Sequence, residues 1–163
     1  MIGLLIEWTH ILSVLWLVGG TAGRAVCTGL AGRSEDLNTV RTLMRAASAF
    51  EMKMLRPASF AVLVTGLITA QQGGWPILGF LQGASVNWVL AALVIYLSII
   101  PVIIFIFLPR GRVYHRALQE AVTRGVVTPE LRAALHDPAV RLARAYEIAM
   151  VLVITFLMVV KPF

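Results

Sequence analysis

The chain has 163 residues, of which 59% are hydrophobic and 13% charged, with a formal charge of +6 and a mean hydropathy of +0.85. That composition belongs to polytopic membrane proteins and excludes an ordinary water-soluble domain of this size. The basic residues flank apolar runs instead of forming a stripe with stacking aromatics, which argues against a nucleic-acid partner, and the single cysteine, Cys27, excludes an intrachain disulfide or a cysteine-based zinc cluster.

The first apolar run covers residues 2–23. It has neither a basic n-region nor a small-residue cleavage site, so it reads as a retained crossing helix. Gly19, Gly20 and Gly23 close it, and the small-x-x-x-small spacing from Gly19 to Gly23 predicts close contact with another helix. A polar segment follows in which Leu37, Val40, Met44, Ala47 and Met54 recur at helical spacing. Ser34 is its expected N-cap, with Glu35 and Asp36 in the first turn, where the helix dipole favours negative charge. One long helix is predicted to run from this segment into a second span at residues 55–71, kinked by Pro57.

Between Arg56 and Arg110 lie 53 residues without a charged side chain. At about 20 residues per crossing, the run holds two spans and a turn. Gln71-Gln72-Gly73-Gly74-Trp75-Pro76 supplies the turn, and residues 77–87 mix aromatic, glycine and amide residues in the manner of an interfacial segment. The third span, residues 88–108, carries Pro101 and is expected to stop at Pro109-Arg110-Gly111-Arg112. Tyr114, Leu118 and Ala121 then line one face of a short helix ending at Gly125, and Thr128-Pro129-Glu130 opens another. Both are expected to lie on the membrane surface or to cover a partner. The fourth span begins with Asp137 as N-cap and Pro138 in the first turn; its apolar part is residues 145–160, with Arg144 and Lys161 snorkelling at the two ends.

The predicted fold is all-α: one four-helix transmembrane domain over residues 1–163, with both termini on the outer side. Lys and Arg number six from Arg24 to Arg56, seven from Arg110 to Arg144, one at Lys161 and none in the turn after the second span. The positive-inside tendency therefore places loops 24–56 and 110–144 in the cytoplasm of a bacterial-type inner membrane.

Glu7 and His10 are the ionisable residues well inside the first span, three apart and so on one helix face. An ionisable group in a membrane is costly, and His10 is the prime candidate site residue. Neutral imidazole ligates haem iron or another metal, or relays a proton. The alternative is a structural His10, hydrogen-bonded to Glu7 or to a Ser or Thr of a neighbouring span. Glu7-x-x-His10 is half of a di-iron bundle motif, but the other carboxylates are missing: Glu51 and Glu147 sit at the opposite ends of their spans. Met158 is the soft ligand candidate at a comparable depth, with core packing as its ordinary role. The group Arg24, Arg41, Arg45, Glu51, Lys53 and Arg56 is suited to internal pairing, anionic lipid head groups or the propionates of a tetrapyrrole. His115 and His136 fall in solvated loops.

The stretch His10-Ile11-Leu12-Ser13-Val14-Leu15-Trp16-Leu17-Val18-Gly19-Gly20 resembles the first helix of the group that joins HemJ-type protoporphyrinogen oxidases with the membrane domain of CopD copper-resistance proteins. Phe50-Glu51-Met52-Lys53-Met54-Leu55-Arg56-Pro57, followed by Thr65-Gly66-Leu67, is similar to the start of the second HemJ helix. The resemblance covers roughly the first half and implies a four-helix core that binds haem b through His10. It departs in the third span, where HemJ proteins place a lysine shortly after a tryptophan and this chain has Trp88-Val89-Leu90-Ala91-Ala92. The closest description is an uncharacterised four-span sister family. Two functions are consistent with these features: a small membrane protein that binds haem or a related tetrapyrrole at His10 in a redox role, or a non-catalytic accessory subunit in a larger respiratory or photosynthetic complex. Its expected partners are the lipid bilayer and either such a complex or further copies of the chain.

Overall fold

A computed structural model describes residues 1–162. Its architecture is helical, with four helices long and apolar enough to cross a membrane: Ile2–Arg33, Leu37–Gln72, Trp88–Arg124 and Pro129–Val160. In shorter segments these are α1 (Ile2–Arg33), α2 (Leu37–Phe50), α3 (Arg56–Gln72), α4 (Trp88–Leu97), α5 (Ile99–Val102), α6 (Leu108–Arg124), α7 (Pro129–Leu135) and α8 (Pro138–Val160).

α2 and α3 are joined by a π-helical turn, Glu51–Leu55, and α5 and α6 by another, Ile103–Phe107. In each, the residue after the turn bonds five residues back, Arg56 N–H to the Glu51 carbonyl and Leu108 N–H to the Ile103 carbonyl. Pro57 and Pro109 come next. A proline within a helix donates no hydrogen bond and its ring crowds the carbonyl four residues earlier; a widened turn at that place relieves the clash. This corrects one expectation: Pro109 does not end the third helix, which continues to Arg124 before Gly125 (φ 72°) caps it.

The N-cap of α2 is Asp36, not Ser34: Asp36 Oδ2 accepts from Thr39 N–H at 2.8 Å and Thr39 Oγ1 at 2.6 Å. Ser34 instead follows the end of α1, where its hydroxyl accepts from Asp36 N–H. Asp137 caps α8 by accepting from Ala139 N–H and Val140 N–H, and Pro138 occupies the first turn.

The helices associate as two pairs, α1 with the continuous α2–α3 helix and α4 with α8. Glycines let the first pair approach. A Cβ on Gly20 would lie 2.6 Å from Leu55 Cδ1, and one on Gly23 2.5 Å from the Phe50 ring. Gly19 only grazes Met54, so the tight contact is made by Gly20 and Gly23 and not by the Gly19–Gly23 spacing. Beyond the spans, at the end carrying the basic loops, Val40, Ala117, Ala121 and Leu131 form a small apolar core with Met44, Tyr114 and Leu118 packed against it. The helices around Tyr114 and Glu130 are thus docked onto α2, because their apolar faces and that of α2 cover one another. Burial pushes the Tyr114 hydroxyl up to about 12.

The far end holds the 73–87 connection, including a short 3₁₀ turn at Gly79–Gln82. The N-terminus, near Gln72, and Lys161, against Trp75 and Trp88, lie at this same end.

Candidate functional site

A cleft of about 400 Å³ opens between the two helix pairs, with walls from α1, α3, α4 and α8. His10 lines it and is 9% exposed. The imidazole lies across Gly66, whose absent side chain makes the room: a Cβ there would be 3.0 Å from His10 Cε1.

The hydrogen bonds around His10 assign its tautomer. His10 Nδ1 is 2.9 Å from Thr65 Oγ1. Thr65 has one hydroxyl proton, and it is donated to the Ala61 carbonyl at 2.6 Å. Oγ1 is therefore the acceptor toward His10, and Nδ1 carries the ring proton. Nε2 makes no hydrogen bond among the described residues and keeps its lone pair. A histidine whose Nδ1–H is held by an oxygen while Nε2 stays free has the arrangement that fixes ring orientation in metal-ligating histidines. Of the two structural partners considered for His10, the neighbouring-span hydroxyl is the one used. Glu7 lines the same cleft, is exposed, and makes no bond to the ring.

The remaining wall is mainly apolar, with a few polar groups. Met158 faces the cleft from α8. Thr69 Oγ1 and Trp88 Nε1 are buried without hydrogen-bond partners. Such orphaned polar atoms are uncommon in folded proteins. Tyr96, from α4, donates its hydroxyl to the Ser59 carbonyl at 2.8 Å and also bonds Ser59 Oγ, tying the helix pairs together below the cleft. Among the described residues no group of three or more His, Cys, Asp and Glu side chains is placed to hold a metal ion.

About 21 Å along α1 from His10, taking 1.5 Å per residue, Arg24 forms a second polar centre. Its Nη1 donates to Glu51 at 2.8 Å and its Nη2 to Glu147, while the guanidinium lies 6.0 Å from the centre of the Phe107 ring. Arg24 therefore touches the other three membrane helices. Arg144 adds a bond to Thr28 Oγ1 at 2.9 Å. Within the group named from sequence, Arg24 and Glu51 are brought together, with Arg56 on the edge at 3.7 Å from Glu51; Arg41, Arg45 and Lys53 form no ion pair among the described residues.

Sequence reading singled out His10 and Met158 but not Thr65 as a partner, Gly66 as the seat of the ring, or Trp88 and Lys161 as parts of the same cleft. A hydroxyl beside a glycine inside an apolar span is a signal for the first two; nothing in the linear sequence pairs them with residue 10.

The match over residues 4–162 to the family described as "Predicted integral membrane protein (DUF2269)" covers nearly the whole chain. The protein belongs to this family. It is thus an integral, multi-pass membrane protein, in agreement with the four apolar helices. No curated protein and no solved structure matched in the two other comparisons.

Proposed function

We propose that this DUF2269 protein binds haem b or a related tetrapyrrole in the cleft between its helix pairs, where His10 would hold it through Nε2. The observation that carries the reading is the Thr65 hydroxyl, which accepts from Nδ1–H and so leaves the Nε2 lone pair directed by a fixed ring. Three features support it: a cleft within the size range of small-molecule sites, the space made by Gly66, and the resemblance of the first span to HemJ-type proteins. When bound, such a group would supply one-electron redox chemistry. The chain's own part is to orient the ligand, exclude water with apolar walls and, through Met158, offer a soft side chain from the opposite helix pair.

In this reading the basic loops face the cytoplasm of a bacterial-type inner membrane, and the cleft lies in the outer half of the bilayer. The 13-to-1 distribution of Lys and Arg supports that orientation.

The test is a reduced-minus-oxidised absorption spectrum of haem-supplied protein beside a His10→Ala variant. A haem band present in the parent and lost in a folded variant is expected; no band in a stable, haem-supplied parent would sink the reading. An accessory-subunit role is the second reading. Large apolar side chains directed away from the cleft, such as Phe60 (70% exposed) and Phe105 (75%), are available to partner helices as well as to lipid. Co-purification with other polypeptides at fixed stoichiometry in mild detergent would favour it.

A further inference from the structure

The cleft has a charged mouth that the His10 reading does not use. At the end opposite the basic loops, Lys161 Nζ rests 4.8 Å from the centre of the Trp75 ring and 5.7 Å from that of Trp88. The two indoles meet edge to face, with centroids 5.5 Å apart. All three residues line the cleft. Lys161 adopts φ 47° and ψ 58°, the one positive φ of a non-glycine residue among those described. The left-handed conformation is unfavourable for a residue with a Cβ, and here it ends α8 where the lysine meets the two rings.

The ammonium has no carboxylate partner among the described residues, and Glu7, the acidic residue lining the cleft, forms no ion pair with it. Next to it, Trp88 is 7% exposed and its Nε1–H is buried without an acceptor. An exposed cation thus stands over two indoles at the open mouth of the cleft. Along α3, Gly66, which seats His10, is seven residues from Gly73 at this mouth, or about 10 Å. A ligand held at its centre by His10 and carrying an acidic group at its rim has both ends within reach.

We propose that the mouth formed by Lys161, Trp88 and Trp75 is a carboxylate-binding subsite, in which Lys161 Nζ, seated over the two indoles, takes the acidic rim of the ligand whose centre His10 holds. This rests on the tetrapyrrole reading and adds orientation to it: the acidic edge points toward the end of the bundle where the N-terminus and Lys161 lie. The cation–π contacts with the two indoles hold the ammonium in place, and an arriving carboxylate supplies an anion that no described residue provides.

The test uses metal-free protoporphyrin and its dimethyl ester, so that coordination by His10 does not enter the comparison. The full chain in neutral detergent is titrated with each while tryptophan fluorescence is followed. The diacid is expected to bind about tenfold more tightly than the ester, in line with a charge-assisted hydrogen bond. Lys161→Met should bring the diacid down to the ester's affinity without changing the ester, and Lys161→Arg should retain the preference. Equal affinity of the parent for both compounds would overturn the subsite while leaving the tetrapyrrole reading standing; binding of neither would overturn both. Displacement of the diacid, but not of the ester, by phosphatidylglycerol in the parent and not in Lys161→Met would reassign the subsite to a lipid phosphate and overturn the carboxylate assignment.

Discussion

His10 Nδ1 and Thr65 Oγ1, 55 residues apart in the chain, are joined by a 2.9 Å hydrogen bond whose direction is set by the bond from Thr65 to Ala61. A single hydroxyl proton thereby decides which nitrogen of a membrane histidine is free.

Replacing Thr65 by Val keeps the shape and removes the acceptor. His10 then loses the partner that fixes its tautomer, and haem affinity is expected to fall about 10- to 100-fold, the usual effect of losing such an outer partner. Thr65→Ser, which keeps the hydroxyl, should stay near the parent. Haem titration by absorbance separates these outcomes, and an unchanged Thr65→Val would show that the bond does not prepare Nε2.

Gly66→Ala places a methyl group 3.0 Å from His10 Cε1, inside ordinary van der Waals contact. The ring must shift, at a cost of roughly 1–3 kcal/mol for overpacking. A lower thermal midpoint in detergent together with weaker haem binding is expected. Gly29→Ala is the control, since a Cβ at Gly29 meets nothing within 4 Å.

Arg24 and Glu147 have side chains only 12% and 15% exposed, whereas that of Glu51 is 34% exposed. Removing one member of a buried pair leaves the other charge uncompensated, so Arg24→Ala should destabilise by about 3–5 kcal/mol and Glu147→Gln by a comparable amount. Glu51→Gln should cost clearly less, because Glu51 is the more solvent-exposed partner and Arg24 keeps its buried bond to Glu147. Chemical unfolding in mixed micelles would order the three variants; a larger loss in Glu51→Gln than in Glu147→Gln would contradict this account of the inner cluster.

The N-cap of α2 has a defined pH dependence. Hydrogen bonds from the Thr39 hydroxyl and backbone N–H hold the Asp36 carboxyl below its ordinary value of 3.8. A carboxyl with a depressed folded value contributes stability above its unfolded value, and the contribution is lost as pH falls through the folded one. Asp36→Ala is therefore expected to lower the thermal midpoint at neutral pH, with the gap closing below about pH 3.8 as the parent's carboxylate is protonated. A gap that stays constant down to pH 2 would show that the cap's charge is irrelevant.

Much of the architecture is legible in the order of residues alone. The uncharged run between Arg56 and Arg110 requires two crossings because lipid offers no partner for exposed backbone groups, and hydropathy over about 20 residues is a local property. Asp137 and Pro138 are read as a helix start for the same reason, since a cap involves only its immediate neighbours. Ser34 and Asp36 compete for one cap within three residues, and the backbone path after α1 decides for Asp36. Pro109 reads as a stop until the π-helical turn before it is seen, because a five-residue hydrogen-bond ring leaves no mark in composition.

For the site, the sequence by itself determined that a costly imidazole sits in the first span and that Met158 and Lys161 stand at the far end of the fourth. The tertiary structure decided what surrounds that imidazole: Thr65 as its acceptor, Gly66 as its seat, and a cleft shared with Trp88 and Lys161. It likewise decided that Arg24 reaches Glu51 and Glu147, 27 and 123 residues away. The physical reason is one of range. Crossing helices follow from hydrophobicity and capping within a turn or a span, whereas the direction of a hydrogen bond between helices depends on which faces pack together, and in an apolar bundle that is settled by small residues and shape.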